Sequence, residues 1–306
     1  MIITLTPPQN ITSIDVGTST PKLGGVIDVS GFTNLQEIRC NGHDLTEVKG
    51  YADLPNIKKI VIADNLLTAL PSLTGNTNLT SVDCSRNNIS QVFPDLSSNT
   101  NLRVFLCFRN QLSGNVFDIS SNLNMNHFGV GNNNLTGTIP SLSANTNLKT
   151  YNVQQQTPGL TGGFPSIDNL LDIDIVNCTG NALSESLPNL SNNTKLRIFQ
   201  FASNSFTGNI PDLSNNTQLQ LFECYNNNLS GYAGGTITSN LSTFRGQDNI
   251  LTQSAVNSIL AAFVAAGHSG GLLNLGGSGN AAPTNGNSNS DKLVLEARGW
   301  TVIVTP

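Results

Sequence analysis

The chain has 306 residues, of which 38% are hydrophobic, 6% aromatic and only 11% charged, and its formal net charge is −5. The negative charge argues against nucleic acid or an anionic membrane surface as the partner, and no apolar run in the sequence is long enough to cross a bilayer. With so few ionic residues, the polar surface must consist largely of Asn, Ser, Thr and Gly.

Residues 1–34 contain two short apolar segments, Ile2–Leu5 and Ile11–Val16, and an imperfect unit near Leu23–Phe32 of a repeat that becomes regular further on. A repeat array must cover its exposed core at both ends, so residues 1–34 are predicted to form an N-terminal cap with short strands. The first residues lack the basic region and the apolar core of a secretory signal peptide. This leaves a cytoplasmic location open.

A frame of the form Leu-x-x-Leu-x-Leu-x-x-Asn-x-Leu occurs ten times between residues 35 and 251, with clear copies at residues 79–89 (LTSVDCSRNNI) and 196–206 (LRIFQFASNSF). Its Asn position recurs every 22 to 25 residues. Because one such unit can bury its apolar face only against its neighbours, the frame predicts a solenoid of stacked coils. The Asn position is occupied by His43, Asn65, Asn87, Asn110, Asn133, Gln156, Asn181, Asn204, Asn227 and Asn249.

Within the frame, the alternation of side chains along a strand decides which positions face the core. The positions five and three residues before the Asn point inward, and those six, four and two residues before it face solvent. Strands of successive coils pair in parallel at roughly 4.8 Å per coil and form one sheet. The Asn turns the chain inward, where its amide can satisfy unpaired backbone groups. Gln156 can do the same with a longer arm, and His43 belongs to an atypical first repeat. The predicted structural Asn ladder consists of Asn65, Asn87, Asn110, Asn133, Asn181, Asn204, Asn227 and Asn249.

The segment after the Asn is also repeated, since residues 135–148 (LTGTIPSLSANTNL) reappear as residues 206–219 (FTGNIPDLSNNTQL). Its Pro has no N–H to donate and marks the place where the strand ladder ends. The Ser/Asn/Thr cluster that follows predicts turns whose side chains bond their own backbone. We therefore expect a convex side of short extended pieces and turns rather than long helices.

All five cysteines occupy the inward position three residues before the Asn, which predicts small buried thiols. No Cys-x-x-Cys pair and no matching histidines accompany them, so we expect neither a metal site nor catalytic thiols. A disulfide framework is not expected either, because neighbours in this column belong to different coils of a sheet that is already paired. The five are Cys40, Cys84, Cys107, Cys178 and Cys224.

Residues 252–306 predict a C-terminal cap in the order helix, strand, helix, strand. Apolar residues recur with helical spacing on one face between Thr252, which can cap the first helix, and Gly267, which can end it. An apolar piece at Leu272–Leu275, a loop rich in Gly, Asn and Ser, a second helix near Asp291–Arg298 and a strand at Thr301–Val304 complete the chain.

The frame together with Leu-(Ser/Thr)-Gly-x-Ile-Pro resembles the leucine-rich-repeat family, in particular its plant-type and bacterial Gly-x-Ile-Pro variants, over roughly residues 23–251. The resemblance implies an α/β-type repeat solenoid, a horseshoe or superhelix made mostly of β-strands and irregular coils. Its parallel β-sheet lines the concave face, which in this family usually binds proteins, peptides or glycans, and a small α/β cap ends it. Secreted eukaryotic members have disulfide-bonded caps, which this chain does not match. The C-terminal segment resembles, more loosely, the cap of leucine-rich-repeat proteins from bacteriophages and environmental genomes.

The sequence offers no set of residues for catalysis. His43, His127 and His268 belong to separate units, and Asp172 with Asp174 lacks the oxygen-rich loop of a calcium site. The Gly-rich stretch at residues 276–279 is not followed by the Lys-Ser/Thr of a phosphate-binding loop. We expect a protein that is not an enzyme and that uses no cofactor and no metal.

The candidate binding surface consists of the outward frame positions. Exposed aromatic residues such as Phe108 and Tyr225 mark contact sites, although an open parallel sheet also tolerates apolar residues. Gly129 and Gly131 leave the centre of the face bare, and the insertion Thr157–Gly159 is either a binding edge or neutral. The binding residues predicted on the concave face are Arg39, Phe108, Arg109, Gln154, Glu223, Tyr225 and Arg245.

Three functions remain compatible with the sequence. The first is an adhesin or receptor-binding module of a phage or bacterium, located on a virion or extracellular surface, that recognises a protein or glycan on a host cell. The second is an intracellular regulator or effector that binds a partner protein. The third is a structural component of a virion, which would need no specificity on the concave face.

Overall fold

The computed structural model of the chain describes residues 2–4, 10–17 and 21–306. In this part of the chain each coil places one short strand in a single parallel sheet, which confirms the predicted repeat solenoid. The thirteen strands found among the described residues pair in register, so that each frame position forms a row across the coils. They are Ser13–Asp15, Glu37–Arg39, Lys59–Val61, Ser81–Asp83, Val104–Leu106, His127–Gly129, Thr150–Asn152, Ile175–Asn177, Ile198–Gln200, Leu221–Glu223, Thr243–Arg245, Gly271–Leu275 and Trp300–Val304.

A second set of short parallel strands lies where the coils turn away from this sheet. At the N-terminal end, Ile2–Thr4, Gly24–Asp28 and Asp44–Lys49 form a three-stranded sheet. Of the predicted strand Ile2–Leu5, the last residue lies outside the described residues. The other pairs are Ser113–Asn115 with Asn134–Thr136, Thr161–Gly162 with Ala182–Leu183, and Thr207–Ile210 with Asn228–Tyr232.

The convex side of the coils is built from turns, as expected from the Pro and the Ser/Asn/Thr cluster. Residues 35–251, all of which the structure describes, contain 3-10 helices at Tyr51–Asp53 and Ile119–Ser121 and no α-helix. No helix of the described residues has both the length and the apolar character needed to cross a membrane.

The core lies between the concave sheet and the convex turns, and aromatic rings from successive coils stack within it. The ring centroids of Phe105 and Phe128 are 6.2 Å apart, and those of Phe128 and Tyr151 are 5.6 Å apart. Further along, Phe222 and Phe244 stack at 5.2 Å. All five rings are nearly inaccessible to solvent, so the inward positions of the frame form one continuous column.

The Asn position of the frame ties each coil to the preceding one. The Oδ1 of Asn133 accepts a hydrogen bond from the backbone N–H of Leu112 (2.9 Å), and its Nδ2 donates to the carbonyls of Cys107 (2.8 Å) and Val130 (2.9 Å). Since Leu112 and Cys107 belong to the preceding coil, one amide satisfies backbone groups of two coils. The same pair of links to the preceding coil is made by Asn65, Asn87, Asn110, Asn181, Asn204, Asn227 and Asn249.

Two coils fill this position with another residue. Gln156 accepts a hydrogen bond from the N–H of Leu135 (3.2 Å) and donates to the carbonyl of Val130 (2.9 Å), so its longer side chain makes the same contacts. The Nδ1 of His43 accepts from the N–H of Leu23 (3.3 Å), which replaces only the acceptor half of the amide.

The residue before the Asn position has a left-handed backbone conformation in every one of the ten coils, which was not predicted from the sequence. Eight of these residues are not glycine and therefore bear strain, of order 1–3 kcal/mol each. The turn brings the Asn side chain into the coil. The residues and their φ angles are Gly42 (78°), Asp64 (55°), Arg86 (55°), Arg109 (53°), Asn132 (59°), Gln155 (50°), Gly180 (70°), Ser203 (54°), Asn226 (54°) and Asp248 (54°).

The prediction that the Ser/Asn/Thr cluster bonds its own backbone was wrong for most of its asparagines, although Asn189 does accept from the N–H of Ser191 (3.1 Å). The fully buried amide of Asn99 donates to the carbonyls of Leu73 (2.9 Å) and Asn76 (2.9 Å) in the preceding coil. Six asparagines form this convex row, because carbonyls buried in the turns otherwise lack a donor. They are Asn76, Asn99, Asn122, Asn145, Asn193 and Asn216. An exposed row two residues later also donates to the preceding coil, from Asn56, Asn78, Asn101, Asn124, Asn147 and Asn240.

After residue 251 the chain forms the helices α1 (Gln253–Ala266) and α2 (Ser290–Ala297), with a 3-10 turn at Gly286–Ser288 between them. The Thr252 hydroxyl caps α1 by accepting from the Ala255 N–H (3.2 Å), and Gly267 ends it in the left-handed conformation. Helix α1 packs against the strand Asn228–Tyr232 and against α2, and the residues on its inner face are buried.

The concave sheet does not stop where the regular period ends. Gly271–Leu275 and Trp300–Val304 add two strands to it, on either side of α2 in the sequence. Asn280 repeats the role of the frame Asn, because it accepts from the N–H of Leu251 (3.0 Å) and donates to the carbonyl of Gly246 (2.9 Å). The sheet therefore extends without interruption into the predicted cap.

Replacement of Asn133 by Ala should lower the free energy of unfolding by about 1–3 kcal/mol, since it leaves buried backbone groups in two coils without partners. Replacement of the neighbouring Asn134, which is exposed and makes no side-chain hydrogen bond among the described residues, should change it by less than about 0.5 kcal/mol. Urea denaturation followed by circular dichroism measures both. Equal effects of the two substitutions would contradict the role of the Asn row.

Candidate functional site on the concave face

The first coils of the concave face carry side chains that are paired with one another. Glu37 forms ion pairs with Arg39 (2.6 Å) and Lys59 (3.3 Å), so the predicted binding residue Arg39 already has a carboxylate partner. Asp83 accepts a hydrogen bond from the backbone N–H of Ser85 (3.0 Å). These polar groups are half-buried.

The middle of the face contains a cleft of about 380 Å³ at the end of the strands, and it brings together three of the predicted binding residues. Phe108, Arg109 and Gln154 all line it. Its remaining lining residues are Ala63, Asp64, Asp83, Ser85, Arg86, Leu106 and Asn132. The cleft is therefore partly apolar and partly charged.

Phe108 covers the centre of the face, which the sequence had led us to expect to be bare. A Cβ atom built on Gly129 would lie 2.2 Å from the Phe108 Cζ atom, so the ring rests directly on the backbone of the next coil. In the same way, a Cβ on Gly131 would lie 2.8 Å from the Cγ of Gln154. The two glycines are thus seats for side chains of the neighbouring coils, and the half-exposed Phe108 ring is held in one place.

Arg109 does not lie on the strand, because its left-handed backbone (φ 53°) already turns the chain away from the sheet. Its side chain is exposed at the rim of the cleft. Within the described residues its guanidinium group has neither a hydrogen-bond nor an ion-pair partner, whereas the neighbouring Arg86 pairs with Asp64 at 3.2 Å.

The later coils carry a ladder of side-chain hydrogen bonds that crosses five of them. Asn177 donates to Gln154 (2.6 Å) and to Gln200 (3.0 Å), Gln200 donates to Glu223 (2.7 Å), and Arg245 donates to Glu223 (2.9 Å). This polar ladder, formed by Gln154, Asn177, Gln200, Glu223 and Arg245, joins three of the predicted binding residues. Asn177 and Gln200 are members that the prediction omitted.

The prediction that Glu223 faces solvent needs correction. Its exposure is 7%, because Gln200 and Arg245 cover both of its carboxylate oxygens. Asn177 is equally buried, with an exposure of 6%. Outward positions on a closely spaced parallel sheet shield one another when long polar side chains bond across the coils.

Tyr225 occupies the same frame position as Phe108, two residues before the Asn, but it lies five coils further along. At roughly 4.8 Å per coil the two rings are about 24 Å apart and cannot form one cluster. The insertion Thr157–Gly159 begins with a cis peptide bond before Pro158 and lies beside the cleft, next to Gln154 in the same coil.

The three histidines lie in separate units of the solenoid. The Nδ1 of His127 lies 3.1 Å from the Thr150 hydroxyl, and the Nε2 of His268 lies 3.2 Å from the Leu241 carbonyl oxygen. Asp172 pairs with Lys195 (2.5 Å), whose hydrogen bond and charge lower the pKa of that carboxyl group. Among the described residues no group of three His, Cys, Asp or Glu side chains could hold a metal ion.

The five cysteines are free and buried. Burial raises the pKa of Cys40 to about 12 and raises the pKa values of Cys84, Cys178 and Cys224 well above the usual range of a thiol. The thiolate is the reactive form, so we expect these four thiols to react slowly while they are buried.

No protein-family model and no curated protein sequence matches the chain. Among solved structures, it is similar to the plant peptide hormone receptor RGFR1 in complex with RGF2, with a TM-score of 0.79, 21% identity, and coverage of 97% of this chain and 48% of that one. It is also similar to a leucine-rich-repeat protein of Leptospira interrogans, with a TM-score of 0.60, 16% identity, and coverage of 98% and 88%.

A third similar structure is the leucine-rich-repeat ectodomain of the Arabidopsis receptor kinase HAESA in complex with an IDA peptide hormone, with a TM-score of 0.51, 18% identity, and coverage of 92% and 60%. The chain spans between 35% and 60% of the length of the first receptors that it matches. These likenesses show that the fold is a leucine-rich-repeat solenoid.

The thiols provide a direct test of the inward column. We expect no labelling of native protein by an aromatic disulfide reagent at mildly alkaline pH, because burial keeps the raised-pKa thiols protonated and covered. All five should react in denaturing guanidinium chloride. Rapid labelling of two or more thiols in the native protein would show that the frame register is wrong.

Proposed function

We propose that this leucine-rich-repeat solenoid is a non-catalytic binding protein that holds an extended segment of a partner protein along its concave face. The observation that carries the proposal is the seated, half-exposed ring of Phe108 at the centre of the face, beside the open cleft and the unpartnered Arg109. A peptide segment can lay one side chain on the ring and continue along the sheet in both directions.

The seat on Gly129 is what makes Phe108 suitable as an anchor. A ring that is fixed before binding loses little conformational freedom when a partner covers it, so more of the contact energy appears as affinity. Aromatic residues near the centre of an interface contribute a large share of binding energy. The rest of the concave face then contributes a surface that is complementary in shape to the partner.

A protein partner agrees better with the surface than a small molecule does. The cleft is open to solvent, and the polar ladder satisfies most of its own hydrogen bonds. Such a surface offers many shallow contacts over several coils rather than one enclosed pocket. Two of the similar structures, RGFR1 with RGF2 and HAESA with an IDA peptide, hold peptide hormones, which supports the same use of the fold here.

We propose further that the partner lies on a cell surface, so that the protein acts as a phage or bacterial adhesin or receptor-binding module. The support is the surface composition, since Asn, Ser and Thr rather than charged residues cover the coils. Such a surface interacts weakly with nucleic acid and anionic membranes. An intracellular regulator or effector and a structural virion component are the alternatives.

Selection of a random twelve-residue peptide library on the immobilised protein tests the binding proposal. We expect enriched peptides whose affinity falls by at least about ten-fold in Phe108→Ala, while the free energy of unfolding changes by less than about 1 kcal/mol because the ring is half-exposed. Gly129→Ala should also weaken binding, since the new methyl group displaces the ring from its seat.

The matched control for that experiment is Gly24→Ala, where a Cβ atom has room, its nearest neighbour being the Asp44 carbonyl oxygen at 3.7 Å. It should leave peptide binding unchanged. A library that yields no enriched peptide, or peptides that bind Phe108→Ala as well as the parent protein, would refute the proposed site.

Binding of the fluorescently labelled chain to intact bacteria and to a glycan array tests the adhesin proposal. We expect saturable binding that is lost in Phe108→Asp/Tyr225→Asp, since both rings lie on the concave face. The charge-matched control Leu123→Asp/Leu171→Asp changes two exposed side chains of the convex turns and should bind normally. If the parent chain binds no cell and no glycan, the adhesin proposal is wrong and the regulator becomes the better hypothesis.

A further inference from the structure

Most cations of the described residues are paired with a carboxylate, and the few that form no ion pair lie in neighbouring coils. Of the 14 Lys and Arg residues, all within the described residues, nine form ion pairs. Lys58 and Arg298 instead donate hydrogen bonds to Gln36 and to the carbonyl of Val264. The remaining three, Arg103, Arg109 and Lys149, have neither an ion pair nor a side-chain hydrogen bond in the described structure. Of these, Lys149 shares a surface cleft with Asp172 and Asp174 of the next coil, and its charge helps to lower the pKa of Asp172.

These three cations lie at the edges of the coil that contains Phe108 and of the two coils that follow it. Arg103 and Lys149 precede the strands Val104–Leu106 and Thr150–Asn152, so they occupy the same rim of the sheet, two coils apart. Arg109 lies on the opposite rim, in the cleft. At roughly 4.8 Å per coil, Arg103 and Lys149 are about 10 Å apart along the rim. All three side chains are exposed.

The same coils present no carboxylate to this side of the molecule. Between Asp83 and Asp172 the sequence contains three acidic residues, Asp95, Asp118 and Asp168. Each of them lies in a convex turn, where it bonds to a nearby Ser, for example Asp95 to the N–H of Ser97 and Asp118 to that of Ser120. In the described structure the coils from Val104 to Gln156 and their two rims therefore carry positive charge only, although the net charge of the whole chain is −5. The carboxylates nearest to Arg109 are Asp64 and Asp83, which line the cleft from the preceding coils.

We propose that the bound segment, if the concave face binds a peptide as argued above, is acidic where it crosses these coils. Asp or Glu side chains of the partner pair with Arg103 and Arg109, and an apolar side chain between them covers Phe108. The guanidinium groups of Arg103 and Arg109 can each hold a carboxylate through two parallel hydrogen bonds. Opposite charges also accelerate the encounter before contact is made.

A uniformly charged polyanion matches this surface less well than a peptide with a local acidic cluster. On either side of the middle coils the face carries carboxylates, Glu37 and Asp83 towards the N-terminus and Glu223 towards the C-terminus. The cations there are already paired, Arg39 and Lys59 with Glu37 and Arg245 with Glu223, so a long sulfated polysaccharide or nucleic acid lying along the sheet would gain little from them. A peptide can place acidic residues at the centre and neutral ones at its ends.

The peptides selected from the random library test this directly, with heparin as the polysaccharide probe. We expect an excess of Asp and Glu over the starting library, and affinity that falls with rising salt. Arg103→Gln/Arg109→Gln should weaken binding by about ten-fold or more, and should flatten the salt dependence. The matched variant Lys22→Gln/Lys49→Gln removes the same two positive charges at exposed sites of the N-terminal region and should change affinity less than two-fold.

The outcomes separate this inference from the binding proposal on which it rests. Enriched peptides that need Phe108 but are neutral or basic would leave the binding proposal standing and overturn the acidic segment. Equal losses in the two double variants would show an effect of bulk charge alone, which also overturns it. Heparin binding that requires Arg103 and Arg109, without any enriched peptide, would replace the peptide by a polysaccharide. If nothing binds, both proposals fail.

Discussion

The hydrogen bond from an asparagine amide to the backbone of the preceding coil is the interaction on which the rest of this solenoid depends. A coil has 22 to 25 residues, but only three of them form its strand in the concave sheet. Most backbone N–H and C=O groups must therefore find partners elsewhere. Asn has two donors and one acceptor on a short side chain, and its three rows satisfy the inner turn, the buried convex turn and the outer edge. The chain is consequently rich in Asn and poor in charge.

Because the asparagines and the inward residues hold the coils together, the outward positions of the frame are free to vary. The turn is fixed by the left-handed residue and the following amide, and the core is fixed by the inward residues, so neither depends on the side chain two residues before the Asn. That position is Phe108 in one coil and Gly131 in the next coil but Tyr225 further along. Since no structural rule of the repeat selects these residues, specificity for a partner can be encoded there at little expense in stability.

The sequence predicted the features that recur in every coil. It did not predict the side-chain contacts between adjacent coils. Local alternation of side chains and the spacing of the frame are enough to predict the period, the positions of the strands, the inward cysteines and a convex side built from turns. The seat of Phe108 on Gly129 does not, because it joins residues of adjacent coils whose side-chain conformations no periodicity defines. The burial of Glu223 by Gln200 and Arg245 was missed for the same reason. The left-handed turn did leave a signal, since Gly42, Asp64, Asn132, Gly180, Asn226 and Asp248 are residue types that favour it.

The lack of carboxylates on the concave side of the coils from Val104 to Gln156 is a property of the surface and not a requirement of the fold. The rim position of Arg103 is occupied by Asp174 in a later coil, and that of Arg109 by Asp64 and Asp248, so the repeat accepts acidic residues on both rims. Stability gives no reason to keep cations and carboxylates apart either, because an exposed ion pair contributes only about 0–1 kcal/mol to the free energy of unfolding. Elsewhere the chain pairs its cations with carboxylates, which leaves those surfaces nearly neutral at a distance. The unpaired cations of the middle coils are then the part of the concave face whose field extends furthest into solvent, and a partner segment would respond to it before touching Phe108.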